Sequence, residues 1–251
     1  MTGAARTLIL LRHGQSTWNL ANLFTGWEDV RLSPAGSDEA RESGRLMKAA
    51  GLIPTVVHTS LLKRAIHTAD LALDEMDLDW IPVRRSWRLN ERHYGALQGL
   101  NKKETAAKYG DDKVKLWRRS YDVRPPAVDL ADRRHPSHDR RYASVPAKLL
   151  PATECLKDVL ERVLPYWTDA IIPDLALHGC VLVAAHGNSL RALVKHLEGL
   201  TELEVVDLDI PTGVPRVYEL DEESRPKSWR YLGDPTEIEK RAAAVRAQAG
   251  I

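Results

Sequence analysis

Three things are scarce in this 251-residue sequence: long apolar runs, cysteines and net charge. No stretch approaches the roughly 18 apolar residues that a bilayer-spanning helix needs, and the chain opens without an apolar leader and cleavage site. The expected compartment is therefore the cytosol, with no membrane partner. The two cysteines, Cys155 and Cys180, stand in an apparent helix and at a strand start, without zinc-ligand or redox-pair spacing. They are expected as reduced, buried thiols. The 36 basic and 35 acidic residues leave a formal charge of +1, too little for the broad basic field of non-specific nucleic-acid binding. No nucleic-acid partner is expected, and any anion site must be local. No internal repeat is visible.

With 43% hydrophobic residues the chain can fill a core, and residues 1–251 are expected to form one domain. Apolar runs at 7–11 and 181–185 read as strands buried on both faces of a parallel sheet, and each leads into His-Gly. His13 and His186 then fall at strand carboxyl ends, where open α/β sheets bind ligands, so both are expected to face one site. Between them Ser33 and Pro34 open a helix that Gly51 closes, and 56–59 reads as a strand. Ser60 caps a helix carrying Leu62, Ala65, Ile66, Ala69 and Leu73, and 80–83 reads as a third strand. Residues 151–172 read as a long helix capped by Thr153, and a helix through Leu190, Leu193, Val194 and Leu197 ends near Gly199. This alternation implies a layered α/β domain. Two stretches break it: 84–149, rich in Arg, Pro, Asp and Tyr, suits an inserted lid region, and the polar tail 235–251 is either a docked helix or a frayed end.

A neutral imidazole whose one nitrogen donates to a carbonyl presents the other lone pair outward, ready to attack phosphorus. Gly14 after His13 leaves room for a ligand near the backbone. Arg12 and Arg64 offer planar forks to phosphoryl oxygens, with Asn19, Asn188 and the helix amides near Asn188 as neutral donors. A metal is the competing use of two histidines. No Asp or Cys stands beside them at ligand spacing and the arginines oppose a cation, so none is expected.

The strings LLRHGQSTWN, NLFTGWEDVRLSPAG, TSLLKRAIHTA, RLNERHYGALQGLNKKET, WRRSYDVRPP, ECLKDVLERVLPYW, AAHGNSLRALVKHLEGL and IPTGVPRVYELDE occur in this order, nearly end to end. Together they resemble the cofactor-dependent phosphoglycerate mutases of the histidine phosphatase superfamily. The Arg-His-Gly string marks only the superfamily, whereas ERHYGALQG and WRRSYD mark the mutase branch. The resemblance implies a three-layer α/β sandwich with a mostly parallel sheet and a basic inserted lid. It implies interconversion of 3- and 2-phosphoglycerate through a phosphohistidine, in glycolysis and gluconeogenesis, primed by 2,3-bisphosphoglycerate. His13 would accept the phosphoryl group among Arg12, Arg64 and His186, and Glu91 would give and take the proton. Substrate contacts would include Ser16, Asn19, Thr25, Gly26, Tyr94, Lys102, Arg118, Arg119, Gly187 and Asn188, and the assembly would be a homo-oligomer, a dimer or tetramer. Residues 128–148 fit the family poorly in composition, which leaves open whether Arg133 or Arg140 joins the site. Phosphatase activity, net bisphosphate synthesis and a non-catalytic phosphate-binding role stay open as alternatives.

Overall fold

The computed structural model describes residues 6–247. Its centre is a six-stranded sheet in the order β3-β2-β4-β1-β5-β6. In chain order the strands are β1 (Arg6–Arg12), β2 (Val56–Thr59), β3 (Val83–Arg85), β4 (Cys180–Ala185), β5 (Pro215–Leu220) and β6 (Pro226–Tyr231). The first four are mutually parallel, and β5 and β6 continue the sheet antiparallel.

Side-chain alternation splits the core into two layers. Leu8 and Leu10 of β1, with Val181 and Val183 of β4, pack with Val159, Val163, Leu190 and Leu193. Ile9, Leu11, Leu182 and Ala184 face the other way, onto Met47, Ala69, Ala72 and Leu73. Strands buried on both faces read as unbroken apolar runs because successive residues serve opposite layers. The helices of the second layer are α2 (Pro34–Ala49) and α3 (Lys63–Asp74), which follow the short α1 (Thr17–Leu20). The insert contributes α4 (Lys102–Tyr109) and α5 (Asp111–Arg119), and the first layer is built by α6 (Leu156–Tyr166), α7 (Ile172–His178) and α8 (Gly187–Glu198). Two further helices, α9 (Glu202–Asp207) and α10 (Pro235–Ala247), complete the described chain.

Several local expectations hold. Ser33 caps α2 with Pro34 in its first turn, and Gly51, at φ +67°, and Gly199, at φ +64°, end helices in the left-handed conformation. Others are corrected. Ser60 is not the cap of α3: Leu62 is, and the Ser60 hydroxyl accepts the Leu62 N–H at 3.1 Å. The third strand begins at Val83 rather than at residue 80, because Pro82 has no N–H for the ladder and Trp80 is 79% exposed. That places the end of β3 inside the segment read as an insert. Cys155, not Thr153, caps α6: its N–H donates to Asp158 Oδ2 at 2.8 Å, while Thr153 Oγ1 donates to the Pro125 carbonyl.

The helical region also runs past residue 172. With Pro165 inside α6, a π turn over Trp167–Ile171 carries the chain into α7. Both cysteines are free, as expected, but only Cys155 is buried and Cys180 is partly exposed. The tail forms a helix: α10 buries Ala242, and Arg241 donates to the Thr212 and Gly213 carbonyls. Residues 248–251 of the tail lie outside the described residues.

Candidate active site

Because β1 and β4 are neighbours in register, with Arg12 opposite Ala185, the two His-Gly turns leave the sheet side by side. The His13 N–H donates to the Ala185 carbonyl at 3.0 Å, and the two imidazole centroids lie 4.9 Å apart at 63°. His13 Nδ1 sits 2.7 Å from the Gly14 carbonyl. A carbonyl only accepts, so Nδ1 carries the proton and Nε2 the lone pair. That lone pair receives Arg64 Nε at 3.3 Å. Burial, then the charges of Arg64 and Arg12, hold His13 well below its ordinary pKa, so the ring is neutral at pH 7. His186 caps α8 and is fully buried, with Nε2 2.7 Å from Ser60 Oγ. Burial and the charge of Arg64 depress its pKa in the same direction.

Gly14 has a different reason from the one expected. A Cβ there would lie 2.1 Å from the Gly36 carbonyl, so glycine is required by the packing of the turn on α2 rather than by a ligand. Gly26 does shape the site. It adopts φ +55°, and its carbonyl accepts Arg64 Nη2 at 2.8 Å, which with Glu28 O fixes that guanidinium. Arg12 is held by one nitrogen, Nη1 to the Ile210 carbonyl at 2.7 Å, while its buried Nε has no partner among the described residues.

Glu91 reaches the same point from the insert, as part of a buried segment tied to α6. Arg162 pairs with Glu154 and donates to the carbonyls of Asn90 and Glu91, and Glu154 accepts the His93 N–H at 2.8 Å. The Glu91 Oε1 atom accepts three N–H groups: Arg92 N at 2.8 Å, Asn188 N at 3.0 Å and Asn188 Nδ2 at 2.9 Å. Burial pushes this carboxyl up. The three N–H donors and the charges of Arg64 and Arg12 more than reverse that, so it lies below the ordinary glutamate value and is ionised at pH 7.

Lining the cavity between these groups are Arg12, His13, Asn19, Thr25, Gly26, Arg64, Glu91, Tyr94, Lys102, Arg118, Arg119, Gly187 and Asn188. Of the residues singled out in the sequence, Ser16 and His186 are absent from this lining. Ser16 is set back as the cap of α1, its hydroxyl accepting the Asn19 N–H and donating to Asn19 Oδ1. His186 is buried beside His13, and its Nδ1 has no hydrogen-bond partner among the described residues. Neither Arg133 nor Arg140 reaches the cavity. The sequence reading missed Leu23, Phe24, Arg191, Asp209, Ile210 and Val245. Of these, Asp209 and Arg191 carry charge. The first pairs with Arg119 at 2.9 Å and lies 3.7 Å from Arg246 of α10. Asp209 meets its partners only through the fold, whereas Arg191 bonds Asn188 one turn earlier on α8.

Lys102, Arg118 and Arg119 line the same cavity, which the insert flanks with Leu97, Ala106, Val114 and Trp117 packed on Phe24. Burial and repulsion from Arg118 and Arg12 bring Lys102 down to about 7. Cations gathered around one cavity make it a site for an anionic ligand. The fold also does what the sequence reading excluded: His13, Glu91 and His186 offer ligand atoms within 4.8 Å of one another, a donor set that suits zinc. Arg12 and Arg64 beside it oppose a cation.

Comparison with known proteins agrees with this chemistry. The family pattern described as histidine phosphatase superfamily (branch 1) matches residues 8–133. A 2,3-bisphosphoglycerate-dependent phosphoglycerate mutase of Nitratidesulfovibrio vulgaris (strain Hildenborough) is 63% identical over 241 residues, covering 96% of each chain. One from Thermobifida fusca (strain YX) is 58% identical over 244 residues, covering 96% of this chain and 98% of the relative. Among solved structures, a mycobacterial glucosyl-3-phosphoglycerate phosphatase in complex with VO3 superposes with a TM-score of 0.68 at 22% identity, over 90% of this chain and 97% of its own. That likeness speaks for the fold alone.

Proposed function

The chain belongs to the histidine phosphatase superfamily and, within it, to the 2,3-bisphosphoglycerate-dependent phosphoglycerate mutases, and on that premise we propose how its cavity works. The reaction is the interconversion of 3-phosphoglycerate and 2-phosphoglycerate, and the relatives' name implies a place in glycolysis. The observation that carries the residue assignment is the pair of neutral imidazoles at adjacent strand ends, in a cationic cavity that also holds an ionised carboxylate.

In this reading phosphorylated His13 passes its phosphoryl group to the substrate hydroxyl, the N–P bond breaking as the O–P bond forms, and ionised Glu91 takes the proton of that hydroxyl. In the return step His13 Nε2 attacks the other phosphorus, the P–O bond breaks, and Glu91 gives the same proton to the departing oxygen. Arg12, Arg64, His186 and the Gly187 amide at the start of α8 share the charge that spreads over the three phosphoryl oxygens. Lys102, Arg118 and Arg119 hold the opposite anionic end, with Asn19, Thr25, Gly26, Tyr94, Gly187 and Asn188 fixing the molecule between them. Ser16 serves through Asn19. When bound, 2,3-bisphosphoglycerate supplies the first phosphoryl group, and the cations around the cavity fit a molecule with anions at both ends.

The chemistry proposed needs no metal, the whole of 1–251 acts as one domain, and the enzyme works in the cytosol as a dimer or tetramer. No described helix is long and apolar enough to cross a membrane. The test is incubation with 2,3-bisphosphoglycerate and a chelator, peptide mapping for an acid-labile, alkali-stable adduct, and a coupled mutase assay. Labelling at His13 with mutase turnover in excess of phosphate release is expected. A label elsewhere, or loss of activity with the chelator, overturns the assignment, and light scattering decides the assembly.

A further inference from the structure

Arg191 takes no part in the reading above, yet it is 6% exposed, lines the cavity and has no ion pair among the described residues. Its Nη1 donates to Asn188 Oδ1 at 3.1 Å. Asn188 in turn presents both its backbone N–H and its Nδ2 to Glu91 Oε1. A side-chain amide can turn either its oxygen or its nitrogen toward a neighbour, whereas a guanidinium only donates. With Arg191 on one side, Oδ1 must face it and Nδ2 must face Glu91. The fork is itself fixed from behind, since Nη2 donates to the carbonyls of Val205 and Val206 near the end of α9.

We infer that Arg191 is a positioning residue for Glu91, acting through Asn188: it sets the amide's orientation and keeps Glu91 Oε1 saturated with donors. Among the described residues no N–H engages Oε2, so the proton exchanges at that oxygen. This rests on the reading that Glu91 handles the substrate proton. A buried guanidinium without an ion pair is held at a cost. Burial and the repulsion of Arg119 and Arg92 lower Arg191 to about 10, and its retention here calls for a local task. Other groups also face Glu91: Arg12 from the end of β1, Arg64 from α3, Lys102 from α4, Tyr94 from its own segment, and the rings of His13 and His186. They stay in place when only Arg191 is changed.

The experiment is the pH profile of kcat and KM for Arg191→Met and Arg191→Lys in the full chain, with folding checked by circular dichroism. Losing the oriented donor raises the Glu91 pKa, so the acid limb of kcat moves to higher pH by roughly 0.5 to 1 unit in the Met variant. There kcat falls about tenfold at neutral pH while KM stays within about twofold. The Lys variant, whose single ammonium cannot hold both Asn188 and the α9 carbonyls, moves the limb less and in the same direction. That keeps the inference testable should the Met chain fail to fold. A raised KM with an unmoved acid limb would make Arg191 a direct anion contact and overturn the inference, as would no change in either. Should the wild-type chain release phosphate rather than isomerise, the proposed function fails separately, and the acid limb of phosphate release carries the same test.

Discussion

Two histidine clusters lie buried in this one sheet, and only one faces a cavity. At the ends of β1 and β4, His13 and His186 sit among Arg12, Arg64 and Glu91, with His13 lining the cavity and His186 Nδ1 without a hydrogen-bond partner among the described residues. On β2, His58 is just as buried, but Nδ1 is 2.9 Å from the Tyr166 hydroxyl, Nε2 is 3.0 Å from Asp174 Oδ2, and Arg84 closes the far side of that carboxylate. The histidines of both are kept neutral. Burial takes His58 down to about 4 despite the opposing pull of Asp174. A depressed pKa therefore does not make a site. The difference is space: His13 and its charged neighbours border a cavity that a ligand can enter, whereas His58 is enclosed by Tyr166, Asp174 and Arg84.

Exchanging the two histidines in turn breaks this comparison most sharply. His13→Ala is expected to abolish the phosphoryl adduct and lower turnover by about 10⁴-fold or more. Appreciable turnover without an adduct would show the carrier to be another group. Replacing Glu91 by Gln keeps the shape and most hydrogen bonds but removes the base, and kcat should fall roughly 10² to 10⁴-fold, as coupled assays would read. His58→Leu belongs to the other arm. It leaves the Tyr166 hydroxyl without its partner and Asp174 Oδ2 with Arg84 alone on that side, so thermal or denaturant unfolding should show a loss of about 1 to 3 kcal/mol, while turnover per folded molecule stays within about twofold. A large loss of turnover there would mean that the two clusters are coupled.

The smallest effect lies with one of the cavity's other cations. Lys102, at about 7, is half neutral near pH 7 in the empty site, and a bound anion favours its charged form. Binding thus takes up a proton, so affinity is highest below pH 7 and weakens as pH rises through it, by about tenfold per unit at most. KM for 3-phosphoglycerate across pH 6 to 9 checks this, and Lys102→Met should flatten the rise.

Legibility followed the range of the interactions. The His-Gly strand ends, the caps of α2 and the ends of α2 and α8 were readable because a strand's apolar run, a cap and a left-handed glycine are local signals. The start of β3 and the cap of α6 were misjudged by a few residues, where Pro82 and Asp158 decided. Of the antiparallel pair, β5 was seen only within a family string and β6 not at all, the pattern giving no short-range hairpin signal strong enough to name. Glu91, Lys102, Arg118 and Arg119 were found through resemblance, since nothing local distinguishes a charged loop residue that turns inward from one that stays in water. Arg191, Asp209 and the Arg162–Glu154 anchor escaped altogether.

By itself the sequence determined the alternation of strands and helices, two imidazoles at strand ends and a charge balance that demanded a focused anion site. These depend on periodicity, turn chemistry and composition, which act within a few residues. Only the tertiary structure decided that the insert's carboxylate meets both rings, that Gly14 answers to a helix rather than to a ligand, and that Arg162 of α6 anchors the segment carrying Glu91. Such outcomes arise from contacts between segments far apart in the chain, where burial withdraws water and each unpaired polar atom must find its partner across the fold.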